Sequence, residues 1–253
     1  MRKWLSITGI TLMQGIRTQT FWLTGLLFVF LLFVAFVLRV LSIGQRDLML
    51  RSFGLSAMEI SALLLVVYGF AFSFFRERDS RLQMIYLTFV SPGQYLFGKL
   101  AGICLTVLLY LGLASLFSAG LLVFEHAWSW SFCLGVYSIF LKLCIVCAFC
   151  ILFSALFSSP VFASLMTVFL YVASELSYYP LAVMKASASE LTHGFYRVLY
   201  HLLPNLDKLD LKSQAIYGNV VSEWYLVQIS LYTLFYASVV FFVALTLFSR
   251  KEH

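Results

Sequence analysis

Charge is what this chain has least of. Only 11% of its 253 residues are Asp, Glu, Lys or Arg, where a soluble domain carries about 25%. That shortage argues against a soluble globular domain. Proline is scarce too, at four residues, and no stretch is rich in Pro, Ser or Gln, so disorder does not explain the composition. Basic patches are missing as well. The net charge of +6 is spread over the ends of apolar runs, which speaks against nucleic acid and fits charges held at membrane surfaces. What fills the chain instead is apolar, at 62%.

Charge-free runs of about twenty residues mark membrane spans. They read as Thr18 to Leu38, closed by Arg39, then Phe53 to Phe75 with Glu59 inside it, and Leu100 to Phe124 with no charge. Ala127 to Phe157 follows with Lys142 inside it, Val161 to Met184 with Glu175, and Trp224 to Ser249. In lipid every backbone polar group needs an internal partner, so these runs are expected to be helices. The alternation of a barrel is absent. The sequence therefore predicts an all-α integral membrane protein of six transmembrane helices in one domain over 1–253. Within it, 1–18 is an interfacial helix, 19–75 holds spans 1 and 2, and 76–99 is a cytoplasmic segment. Residues 100–184 hold spans 3 to 5, 185–223 form an external segment, and 224–249 are span 6. The first run starts too late, runs too long and lacks the cleavage pattern of a signal peptide.

Basic clusters set the orientation. Arg2, Lys3 and Arg17 precede the first span, Arg76, Arg78 and Arg81 follow the second, and Arg250 and Lys251 follow the sixth. The positive-inside rule makes that side cytoplasmic, with both termini on it. Arg46, Arg51, Lys185, Arg197, Lys208 and Lys212 then fall outside, mixed with acidic residues. Trp22, Trp128, Trp130 and Trp224 stand near span ends, where interfacial indoles belong.

The connection from Arg76 to Lys99 opens on Arg76-Glu77-Arg78-Asp79-Ser80-Arg81, a mixed-charge cluster at the aqueous surface. Leu82, Ile85, Tyr86 and Phe89 then make one apolar stripe of a short helix. Ser91-Pro92-Gly93 is expected to end it, because proline breaks the hydrogen-bond ladder. Such a helix either rests on lipid headgroups or docks a soluble partner. Gly93 to Lys99 fits G-x-x-x-x-G-K, but Leu100 follows where a phosphate loop needs Ser or Thr, and no strand precedes it. Nucleotide binding is not expected there. No nucleophile elbow, zinc-binding H-E-x-x-H or paired carboxylates in an aqueous cleft point to an enzyme.

The acidic-basic cluster, the short helix, Ser91-Pro92 and Gly98-Lys99 together resemble the membrane subunit of a type-2 ATP-binding-cassette exporter. Phe157-Ser158-Ser159-Pro160 between spans four and five, and Leu203-Pro204-Asn205-Leu206-Asp207 in the external segment, extend the likeness over nearly the whole chain. It is most similar to permeases of the nitrous-oxide-reductase-maturation and gliding-motility type. The resemblance implies a bacterial cytoplasmic-membrane permease that works as a homodimer or heterodimer. It implies a separate ATPase subunit that binds ATP and Mg, so this chain needs no cofactor or resident metal. Docking of that ATPase falls on Glu77, Arg78, Arg81, Leu82, Ile85 and Phe89. A substrate pathway through the spans is implied as well.

In the external connection, Leu191, Phe195, Val198, Leu199 and Leu202 form an amphipathic stripe, either a re-entrant cap on a pathway or a helix on the outer leaflet. His193, His201, Asp207 and Asp210 match no metal-ligand spacing and read as solvated loop residues. Glu59, Lys142 and Glu175 are costly inside apolar runs. They read either as a structural pair, Lys142 with Glu175 or Glu59, or as groups lining a substrate path, with a proton relay as a weaker option. Cys144, Cys147 and Cys150 share one face of the fourth span. Small polarizable residues at a helix contact, or a soft-metal or sulfur relay, both fit that row. Two functions compete with the exporter: an ion-coupled carrier using Glu59 and Glu175, and a non-transporting assembly subunit. The 26 phenylalanines suit an amphipathic or lipid-linked cargo, but lipid-facing surfaces need them anyway.

Overall fold

Backbone groups that cannot reach water must bond within their own segment, and the apolar runs accordingly fold as helices. A computed structural model describes residues 3–41, 46–79, 90–176, 203–219 and 221–251. Every long element among them is helical: α1 Lys3–Arg17, α2 Gln19–Leu41, α3 Arg46–Leu64, a π-helical segment Leu65–Phe70, and α4 Ala71–Asp79. After these come α5 Pro92–Phe124, α6 Ser131–Leu156, α7 Pro160–Glu175, the short α8 Lys212–Tyr217, and α9 Glu223–Lys251.

Among the described residues, five stretches are long and apolar enough to cross a membrane: Gln19–Arg39, Asp47–Arg78, Pro92–Phe124, Ser131–Leu156 and Glu223–Arg250. The chain is a multi-pass membrane protein. The expected fifth span differs: α7 stops at Glu175 after 16 residues. That is about 24 Å of helix, short of a hydrocarbon core of about 30 Å. The expected remainder of that span, from 177 to 184, lies outside the described residues.

Helices also run past their apolar runs, because intrahelical hydrogen bonds are indifferent to side-chain polarity. The second span starts at Arg46 and stays helical to Asp79, so Arg76-Glu77-Arg78-Asp79 are helix rather than loop. Pro92 opens α5 at its first turn, where a missing N–H costs nothing; the short helix expected before it, with its stripe of Leu82, Ile85, Tyr86 and Phe89, lies outside the described residues. Gly93 to Lys99 are the opening turns of that helix.

Helix α6 is the hub. It touches α3, α5, α7, α8 and α9, and 72% of its apolar window is buried inside the protein, against 22% for α9 and 28% for α2. The peripheral helices present Leu23, Leu26, Phe30, Leu231 and Phe235 outward, as lipid contact requires. Helix α1 lies along the first turns of α5. A Cβ on Gly98 would meet Ile7 Cβ at 2.9 Å, one on Gly102 would meet Thr11 Cβ at 2.6 Å, and one on Gly15 would meet Thr106 Cγ2 at 2.8 Å. Only small residues let two helices approach this closely. The Thr8 hydroxyl also donates to Gly98 O at 3.2 Å.

The π-helical segment spoils the regular ladder of the second span. Neighbours cover the loosened carbonyls: the Cys150 thiol points at Val66 O at 3.8 Å and the Ser164 hydroxyl donates to Val67 O at 3.3 Å. From outside the spans, Leu206, Leu209 and Leu211 pack with Leu141, Ile145 and Phe149 of α6 and Ile229 of α9. The described part of the 185–223 connection is therefore wedged onto the bundle.

Candidate functional site

One ionic cluster joins buried Glu59 and Lys142 to three half-buried charges. Lys142, halfway along α6, has a fully buried side chain. Its ammonium lies 2.6 Å from Glu175 Oε1, 3.2 Å from Asp210 Oδ2 and 3.3 Å from Glu59 Oε1. Lys212 binds the other oxygen of Glu59. Tyr171 donates its hydroxyl to Glu59 Oε1 at 2.7 Å and sits 3.3 Å from Glu175 Oε1.

Local sequence explains the convergence. Tyr171 and Glu175 are four apart on α7 and so share a face. The backbone N–H of Lys212 donates to Asp210 Oδ1 at 2.9 Å, which turns that carboxylate inward just ahead of α8. Arg51 reinforces the site from α3 by donating to Ala127 O at 2.8 Å and Ile216 O at 3.2 Å. That guanidinium ties α8 and the α5–α6 turn to the second span. Tyr232 accepts from Asn205 N–H at 3.0 Å, and Tyr225 donates to Lys208 O at 2.7 Å. These bonds fasten the same segment to α9.

Lys142 thus pairs with both carboxylates considered from sequence. The surprise is Asp210. It is half-buried and bonded to Lys142, not a solvated loop residue. Asp207 is exposed, and His193 and His201 lie outside the described residues. Asp210, Lys212 and Tyr171 are the members that sequence reasoning missed. Burial alone would raise the carboxyl of Asp210; the Lys142 charge, the Lys212 N–H and the Lys212 charge outweigh it and hold it below the ordinary range. Among the described members, three carboxylates face two ammonium groups. Charge within the described cluster is therefore one negative unit in surplus. Parting α3, α6, α7 and the 210–212 turn would strand charges in a poorly solvated place, so the cluster acts as a lock.

A second polar site closes the opposite end of the second span. Glu77 was expected at the aqueous surface, yet it is buried. It binds Lys99 and accepts from the Tyr95 hydroxyl at 3.1 Å. Both partners lie on the first turns of α5, where the helix brings residues four apart onto one face. Gly98 seats α1 and Lys99 holds Glu77, so the apparent phosphate-loop residues have packing roles. Arg78 is exposed and lies 6.0 Å from the Phe75 ring centre. Arg81, Leu82, Ile85 and Phe89 fall outside the described residues.

Of the cysteine row, Cys144 and Cys147 face Cys104 of α5, whereas Cys150 turns to the π-helical segment. The row therefore splits between two helix contacts. No group of three or more His, Cys, Asp or Glu stands ready to hold a metal among the described residues. Neither known protein families nor curated proteins give a match to this chain.

Proposed function

We propose that the chain is the permease subunit of an ATP-driven exporter of the type-2 ATP-binding-cassette kind. It would sit in a bacterial cytoplasmic membrane with both termini inside, pair with a second permease, and take its power stroke from a separate ATPase. The observation that carries this reading is the Glu77–Lys99–Tyr95 clamp. It fastens the end of the second span to the start of the third on both sides of the 80–89 connection. A push delivered to that connection would be passed to both spans as one rigid unit instead of being lost in a slack loop. Exposed Arg78 next to the clamp gives a partner a charge to register on.

At the other end, the Lys142 cluster supplies what alternating access needs, a set of contacts that holds the outer side shut and can be broken. Its surplus carboxylate favours the second reading, an ion-coupled carrier. One experiment separates the two. The permease, co-expressed with any ATP-binding-cassette ATPase that a neighbouring gene encodes, is purified and reconstituted in nanodiscs. The exporter reading expects a stable complex whose ATP turnover depends on the permease. A permease that holds no ATPase, and whose reconstituted vesicles move protons or Na⁺ in exchange for a cargo without ATP, would establish the carrier instead.

A further inference from the structure

A cleft of about 810 Å³ opens between the α1–α2 junction and the stretch from Tyr68 to Glu77. Its chemistry is divided. Arg17 and Arg76 stand at its mouth, both exposed, and neither forms an ion pair among the described residues. The cleft's carboxylate, Glu77, is held by Lys99 and Tyr95. Tyr68 and Phe72 form an aromatic wall, stacked with ring centres 6.3 Å apart and both exposed. Gln14 adds a buried carboxamide oxygen without a hydrogen-bond partner among the described residues, and such groups ordinarily have one.

Depth fixes what can reach this cleft. Arg17 and Arg39 bracket the apolar run of α2; the 21 residues from Gln19 to Arg39 rise about 32 Å as helix, close to one hydrocarbon thickness. Arg39 pairs with Glu125 at the far end of α5. Arg17 therefore stands at one membrane boundary, with the cationic mouth at headgroup level and the aromatic wall beside the acyl chains.

We infer that this cleft binds an anionic phospholipid of the adjacent leaflet. Its phosphate sits between Arg17 and Arg76, a headgroup hydroxyl donates to Gln14 Oε1, and an acyl chain lies along Tyr68 and Phe72. Guanidinium groups match phosphate oxygens in geometry and charge. A free phosphate would leave the aromatic wall unused, and a neutral amphiphile would leave both guanidinium groups unpaired. The inference does not depend on any ATPase, so it stands or falls separately from the exporter reading. A lipid there wedges α1 and α2 against the π-helical segment, next to the clamp.

The test uses the whole purified chain in detergent, with phosphatidylglycerol or phosphatidylcholine added and retained lipid read by native mass spectrometry. Phosphatidylglycerol is expected to be kept at least about tenfold more strongly, since two cations act at the surface. Arg17→Gln with Arg76→Gln should erase that preference, and Lys208→Gln, an exposed cation elsewhere, should leave it intact. Glycerol 3-phosphate in millimolar excess should not displace the lipid. Equal retention of the two lipids, an unchanged preference in the double variant, or full displacement by glycerol 3-phosphate overturns the inference. Should the double variant fail to fold, the wild type decides through a phosphatidylglycerol bearing a photoactivatable acyl chain. Cross-links concentrated on Tyr68 to Phe72 and Ile10 to Gln14 support the site; equal labelling of Leu23, Leu26 and Phe30 on the outer face of α2 refutes it.

Discussion

The ammonium of Lys142 stands 2.6 Å from Glu175, the last residue of α7. That contact ties the hub helix to the shortest of the apolar helices, and Glu59 and Asp210 close on the same nitrogen from two other elements. Removing Lys142 would leave three carboxylates with only Lys212 among them. Lys142→Met is expected to cost about 3–5 kcal/mol, the usual penalty for a stranded buried charge. Adding Glu175→Gln to that variant should recover part of the loss, because Glu175 loses its cation there whereas Glu59 keeps Lys212. Thermal unfolding of the single and double variants in one detergent checks this. Additive losses would mean the groups do not interact.

Acid should weaken the same lock at Asp210. Asp210 is held below its ordinary value of 3.8. A depressed carboxyl contributes stability that is complete above the unfolded value and is lost as pH falls through the folded one. Docking of 203–219 should therefore hold at neutral pH and loosen below about pH 4. Asp210→Asn should already be loose at pH 7 and change less on acidification. Hydrogen exchange of the peptide spanning Leu206 to Tyr217 measures it; identical acid profiles for both proteins would remove Asp210 from the lock.

What the sequence made legible, and what it hid, follows from how each residue advertises itself. Glu59, Lys142 and Glu175 stood out because a charge in an apolar run has no cheap explanation. Asp210 and Lys212 lie in a polar connection, where charge is ordinary, and only the wedge of Leu206, Leu209 and Leu211 carries them inward. Lys99 sits at the edge of an apolar run, where a lysine usually reaches water, so its burial against Glu77 left no trace in the pattern. The π-helical segment is a tertiary effect, sustained by donors such as Ser164 nearly a hundred residues away in the chain. Five of the six expected spans were readable from hydropathy; the helical extensions at Arg46 to Ser52 and Pro92 to Lys99 were not, because they carry polar residues.

Helix α1 should depend on the glycines beneath it. Gly102 faces the Thr11 Cβ at a distance no ordinary Cβ tolerates, and the obstacle is close to the backbone. Gly102→Ala is expected to cost about 1–3 kcal/mol by overpacking and to free α1 for limited proteolysis. Gly112, whose Cβ position is open, makes the control, and Gly112→Ala should be near neutral. Unaltered protection of α1 in Gly102→Ala would mean the contact is not tight.

Coupling is best tested at Arg78 and not at Glu77. Reversing Glu77 together with Arg81 is not a surface exchange. Burial of Glu77 against Lys99 and Tyr95 makes it a structural lesion, because Glu77→Arg would set two cations face to face inside the protein. Any loss of ATPase binding in that variant would then report misfolding. Arg78 is exposed, and its contact is with the face of Phe75. Arg78→Glu should therefore leave the unfolding temperature close to wild type. If the partner ATPase registers on this end of the second span, a like-charge contact costs several kcal/mol, so association should fall by more than about tenfold. The complementary clamp variant, Glu77→Gln with Lys99→Met, removes both charges at once and should stay folded and still bind the ATPase. Its turnover should become less dependent on the permease, since a push on the 80–89 connection would no longer be shared by both spans. Affinity of purified permease variants for the ATPase, measured beside permease-stimulated ATP turnover, separates docking from transmission. Normal binding and stimulation in Arg78→Glu, together with normal stimulation in the clamp variant, would place the coupling site elsewhere on the chain.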